Sequence, residues 1–168
     1  MTNRMTMVTE RVAAISLLLL VSACVTQLAP DYDQALVDRL NSTNEALMVF
    51  FTSASQGVKP SSFDDRKATY DNLIGRLDAL VIQARSRPIP ENSVTQKVNE
   101  ALEKRGVQIL DDGDTPSASA LQGISETMVK MRDTDQKQGV TAFEVAAFKG
   151  QVSIYMDQAM TYENYLQR

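Results

Sequence analysis

Phe63, Tyr70, Leu77 and Ala84 stand seven residues apart, with Leu73, Ile74, Leu80 and Val81 filling the positions between them. On a helix of 3.6 residues per turn these eight side chains collapse onto one stripe, whereas on a strand they would scatter over both faces. A stripe of this length must be covered by something, because a lone helix leaves its apolar face in water. The segment therefore predicts a long amphipathic helix packed against neighbours.

The same spacing recurs along the chain. Tyr32, Leu36, Leu40, Leu47, Phe50 and Ala54 follow helical steps, with Asp31 or Asp33 suited to the positive helix start and Gly57 and Pro60 to its end. Ser61 or Ser62 is the expected N-cap of the Phe63–Ala84 helix, and Asp64 and Asp65 favour its first turn. Two prolines in "RPIPENS" make an extended connection. Val94, Val98, Ala101 and Leu102 then predict a short helix ending near Gly106. Thr115 caps a further helix with Pro116 at its first position, and Leu121, Ile124, Met128 and Met131 form its face. Thr141-Ala142-Phe143-Glu144 is a capping box, and Val145, Phe148, Val152, Tyr155, Met156, Ala159, Tyr162 and Leu166 carry the last stripe. No alternating run supports a sheet. The expected fold is all-α: an up-down bundle of four long helices plus one short helix, spanning residues 31–168.

Composition removes several functions. The 168 residues hold no histidine and one cysteine, which excludes a Ser-His-Asp triad, a histidine-based zinc site and an internal disulfide. Seventeen basic and 21 acidic residues give a net charge of −4 without a basic block, so nucleic-acid binding is not expected. "DDGDTPS" lacks the alternating ligands and closing glutamate of a calcium loop. No serine and lysine form a recognisable nucleophile pair, and no metal, cofactor or enzymatic activity is expected.

The amino-terminal segment has a different character. Arg4 and Arg11 flank a polar start, and "VAAISLLLLV" follows from Val12 to Val21. Ten helical residues span roughly 15 Å, half of a ~30 Å hydrocarbon core, which suits a secretory signal better than a membrane span. Then comes "VSAC", Val21-Ser22-Ala23-Cys24. This tetrapeptide resembles the lipobox of bacterial lipoproteins. The resemblance implies a diacylglycerol on the Cys24 thiol, cleavage between Ala23 and Cys24, and acylation of the new amino terminus. Residues 1–23 would then be the signal peptide and 24–30 the acylated cysteine with its tether. Arg4, Arg11 and Glu10 lie in the part removed, leaving 15 basic and 20 acidic residues. Val25 stands where an aspartate would resemble an inner-membrane retention signal in enteric-type bacteria, so the implied address is the outer membrane, facing the periplasm. In size and anchoring the chain is similar to pilotins, small helical lipoproteins that escort secretion-channel subunits, although no motif maps onto them.

The expected role is structural or interactive: a membrane-anchored bundle, monomeric or weakly self-associating, that contacts an envelope protein. Phe51, adjacent to Phe50 and so displaced from the stripe centre, is a candidate contact residue. So are Arg85 and Arg87 at a helix end that favours cations. Asn41, Ser42, Thr43 and Asn44 place four polar residues in the first helix, either as a notch for a partner or as a buried register contact through Thr43 or Asn44. Glu45, Asp71, Asp78, Glu126, Glu144 and Asp157 flank the stripes and read as solvated faces. Tyr155, Tyr162 and Tyr165 line the last helix as core-edge rings or a binding face. The alternative is a module binding an apolar or lipid-like ligand in a pocket lined by Met128, Met131, Met156 and Met160.

Overall fold

The computed structural model describes residues 29–88 and 114–167. The expected short helix near Val94–Gly106 and the Ala23–Cys24 junction lie outside these residues. Four helices carry the described chain: α1 (Gln34–Ser53), α2 (Asp64–Arg85), α3 (Pro116–Gln138) and α4 (Ala142–Tyr165). Each packs on its chain neighbour, and α1 closes the ring against α4. Polar contacts at the bundle ends give the direction. The N-cap of α1, the end of α2, the start of α3 and the end of α4 meet at one end, through Gln83 with Asp33, Arg85 with Asp114 and Arg87 with Glu163. The α1–α2 and α3–α4 turns meet at the other, where Val58 and Val140 exchange both backbone hydrogen bonds. The topology is therefore up-down-up-down.

The helix ends follow local chemistry. Asp33 accepts from the Leu36 amide, Thr115 from Ala118, and Thr141 forms a reciprocal capping box with Glu144. Tyr32, expected within the first stripe, stands just before the Asp33 cap. The N-cap of α2 differs from expectation. Pro60–Ser62 forms a 3-10 turn that runs straight into the helix, so the cap position falls to Phe63 in helical geometry, with no side-chain cap. Ser62 Oγ instead donates back to the Lys59 carbonyl and accepts from Arg66.

The core is continuous. Leu36, Leu40, Leu47, Tyr70, Leu73, Leu77, Leu121, Ile124, Met128 and Met131 are each no more than 2% exposed. Fully burying one such leucine or isoleucine contributes about 1.5–3 kcal/mol. Phe50 and Phe51 are both buried, and the Phe50 ring meets Tyr70 edge-on with centroids 4.7 Å apart. A bundle helix has two neighbours, so its buried arc is wide enough for adjacent residues about 100° apart.

Candidate functional site

Two carboxylates lie inside the bundle, one toward each end. Asp135 of α3 is fully buried, and Arg66 of α2 grips it twice, Nε to Oδ2 at 2.9 Å and Nη2 to Oδ1 at 2.8 Å. The Tyr70 hydroxyl donates to the same carboxylate at 3.2 Å. Burial first, and then the neighbouring Asp135 charge and hydrogen bond, push the Tyr70 hydroxyl far above the ordinary tyrosine value. Arg66 also reaches Ser62 and the Lys59 carbonyl, which ties the 3-10 turn to α3. Toward the other end Glu163 of α4 is 1% exposed and receives both terminal nitrogens of Arg87. Arg87 Nη2 lies 3.3 Å from Ser117 Oγ, and Ser117 in turn pairs with Thr115. These clamps satisfy both buried carboxylates.

The carboxylates expected on solvated faces lie largely where expected. Asp71 sits between Lys67 and Arg132, and hydrogen bonding to Lys67 holds its carboxyl below the usual range. Asp78 adds a cross-helix bond, accepting from Ser125 Oγ at 2.6 Å. Among the described residues no group of acidic side chains or cysteine could hold a metal ion.

The three expected contact residues separate. Phe51 is 1% exposed and packed in the core, so it offers no surface to a partner in this fold. Arg87 is closed into its pair with Glu163, its side chain 9% exposed. Arg85 stays half-exposed while gripping Asp114, with Nη2 at 2.8 Å from Oδ2. The polar run in α1 leaves the helix unbroken: Thr43 is buried, and Ser42 donates to the Arg39 carbonyl. Beside it lies a notch of about 290 Å³ between α1 and α2, lined by Arg39, Ser42, Thr43 and Arg76. Met128, Met131 and Met156 are buried in the core and Met160 packs against it, so these methionines fill space rather than line a pocket.

A surface that the spacing analysis did not single out as a unit runs along α4. Phe143 is 83% exposed, Ile154 56% and Tyr165 57%. They stand eleven residues apart, about three turns plus 20°, so all three fall on one line down the helix. That line faces away from Val145, Val152, Met156 and Ala159, which enter the core. Ala147, Gly150 and Thr161 occupy the same outer strip and are exposed. Asp157 is its one formal charge, since Glu144 is held in the capping box, Glu163 is buried, and Lys149 lies roughly 120° round the helix from Phe143. Helix α4 is thus apolar on two opposite faces. Val49 on α1 and Ile82 on α2 are exposed singly, which is ordinary for a protein surface.

Beside the strip, a groove of about 560 Å³ runs between α3 and α4, with Phe148 and Tyr155 in its wall and Lys130, Gln138 and Gln151 among its polar lining. Ala147 belongs to both groove and strip. Tyr155 is seated by Gly123, where an added Cβ would lie 2.9 Å from the ring. The signal for the outer strip was present in the sequence as the eleven-residue recurrence of Phe143, Ile154 and Tyr165, masked by the stronger stripe on the opposite face.

No described helix is long and apolar enough to cross a membrane. Compared with known proteins, the chain matches no family model, no curated sequence and no solved structure.

Proposed function

We propose that this chain is a lipid-anchored protein of the bacterial cell envelope with a protein-interaction role, held by Cys24 at the outer membrane and facing the periplasm. The observation that carries the role is the outer strip of α4, where Phe143, Ile154 and Tyr165 are exposed in line with one charge among them. An apolar strip of that kind on a helix already packed by its other face is the mark of an interaction surface. The address rests on Val21-Ser22-Ala23-Cys24 and the apolar run before it. One acyl chain holds only marginally, whereas two or three hold persistently. Seven tether residues from Val25 to Asp31 reach at most about 25 Å, so the folded part sits close to the membrane surface.

The test is Cys24→Ser in cells given labelled palmitate. The substitution is expected to abolish labelling and leave the precursor uncut. Equal labelling of parent and variant, or no labelling of the parent, would remove the anchor. A photoreactive residue at position 154 in intact envelopes reads the interaction role separately, and absence of any protein adduct would remove that role.

A further inference from the structure

We propose that the partner for the outer strip of α4 is a second copy of this chain, packed antiparallel with Ile154 at the twofold axis. This deepens the interaction reading above and rests on it.

The spacing supports self-pairing. Phe143 and Tyr165 are equidistant from Ile154, eleven residues to either side. Rotation of a second helix about an axis through Ile154 brings Phe143 over Tyr165 of the second copy, and the reverse. A twofold interface requires a self-complementary surface of this form. Ala147 then meets Thr161 of the second copy, and Gly150 meets Gln158. Ala147, Gly150 and Thr161 are small and let the two helices approach, with Gln158 lying over Gly150. Gly150 has no contact in its own fold that calls for glycine, since an added Cβ there would meet nothing within 4 Å. A mid-helix glycine costs about 1 kcal/mol relative to alanine.

Charge selects the orientation. A parallel pair in register would place Asp157 against Asp157. The antiparallel pair places it opposite Gln151, and places Glu144 opposite Asn164. No like charges then stand opposed. The same charge pattern argues against a lipid surface as the occupant, because an interfacial helix carries lysine and arginine along its flanks, and Lys149 is the one basic residue of α4.

Area sets the strength. Two exposed aromatic rings and an isoleucine present roughly 400–500 Å². With the small residues between them, each face reaches about 600 Å² and the pair about 1,200 Å², the lower end of a stable interface. The dimer is therefore weak in dilute solution. Confinement of both copies to one membrane raises their effective concentration and favours the pair, with the two bundles lying along the membrane plane so that the tethers at its opposite ends both reach the bilayer.

The test is disulfide crosslinking of the full chain in envelopes. I154C is expected to link two copies. F143C alone and Y165C alone are expected not to, because like positions then lie about 33 Å apart, far beyond the ~7 Å Cα reach of a disulfide. Co-expressed F143C and Y165C are expected to link to each other. In a second measurement, Ile154→Glu should raise the dimer dissociation constant at least ~30-fold with an unchanged far-ultraviolet spectrum. Self-linking of F143C as efficient as that of I154C would overturn the antiparallel pair, as would a dimer that tolerates Ile154→Glu. Linkage through position 154 to a different protein would overturn self-pairing while leaving the interaction reading intact. No linkage at this face, with binding of lipid vesicles instead, would overturn both.

Discussion

Arg87 closes on both carboxylate oxygens of Glu163, joining the chain just past α2 to the last turn of α4 across 76 positions of sequence. Glu163 is the residue that most needs this arginine, since a carboxylate 1% exposed has no water to solvate it. Arg87 is itself imperfectly matched, because its Nε is buried without a hydrogen-bond acceptor. The pair therefore joins a strong grip to a residual desolvation cost. In a buried pair of this kind the desolvation cost offsets much of the attraction, so the net gain in stability is small.

Removing one partner should be far worse than removing both. Arg87→Ala leaves the Glu163 carboxylate buried and alone, and is expected to cost about 3–5 kcal/mol in urea unfolding. The double variant Arg87→Met with Glu163→Leu should recover most of that loss or exceed the parent. Equal losses in the single and double variants would show that the pair holds the end of α4 in a way apolar packing does not replace.

The Arg66–Asp135–Tyr70 cluster makes a prediction in alkali. Tyr70 has a folded-state value raised above the ordinary 10.0, chiefly by burial and then by Asp135. A raised value means the folded chain keeps its proton where the unfolded chain has lost it. The stabilisation is complete below pH 10 and falls as pH rises through and beyond that value. Absorbance titration at 295 nm should show one of the five tyrosines ionising only as the bundle unfolds. Tyr70→Phe should remove that late step and cost roughly 1 kcal/mol through the lost hydrogen bond. A titration in which all tyrosines ionise before unfolding contradicts the buried hydroxyl.

Much of this bundle could be read from residue spacing, and the exceptions have physical causes. The stripes of all four helices, the Thr115 cap and the Thr141–Glu144 box stand where local chemistry places them, because each depends on residues within one turn. The Ser61–Ser62 cap does not form, because Arg66 draws Ser62 into a network with Asp135, 69 positions away in sequence from Arg66. Asp135 and Glu163 were not singled out from the spacing, although their positions carry a signal. Asp135 lies seven residues past Met128 and Glu163 seven past Met156, both on apolar stripes. A carboxylate on a stripe demands a buried cation, but spacing along one helix does not name which arginine on another supplies it. The outer strip of α4 was hidden because a helix apolar on two faces loses the contrast by which amphipathic faces are found.

The capping box of α4 should titrate. Hydrogen bonds first from the Thr141 backbone and then from its side chain hold the Glu144 carboxyl below its ordinary value of 4.5. A depressed value contributes stability that is present above pH 4.5 and lost as pH falls through the folded-state value. Asp33 acts in the same direction: burial raises its value, but the bonds from Gln83 and the Leu36 and Ala35 amides outweigh it and hold it below 3.8. Thr141→Ala is expected to cost about 1 kcal/mol at neutral pH. Glu144→Gln should flatten the acid limb of the stability curve measured between pH 3 and pH 6. An unchanged acid limb in Glu144→Gln contradicts the role given to this carboxylate.

Gly139 should be the least replaceable glycine in the described chain. It follows α3 with φ 77° and ψ 178°, a backbone region that side chains rarely enter. A Cβ there would lie 2.4 Å from the Val58 carbonyl oxygen and 2.9 Å from Pro60 Cδ. That carbonyl accepts the Val140 amide at 3.0 Å, one of the two bonds joining the turns at this end. The neighbour cannot yield without breaking the bridge that aligns α1–α2 with α3–α4. Gly139→Ala is therefore expected to cost more than the ~1–3 kcal/mol of backbone strain alone. Gly75→Ala is the matched control: it lies inside α2 with nothing within 4 Å of an added Cβ, and should stabilise by about 0.4–1 kcal/mol. Thermal unfolding of the two variants checks both signs, and similar melting temperatures would mean that the Val58–Val140 bridge does not constrain the bundle.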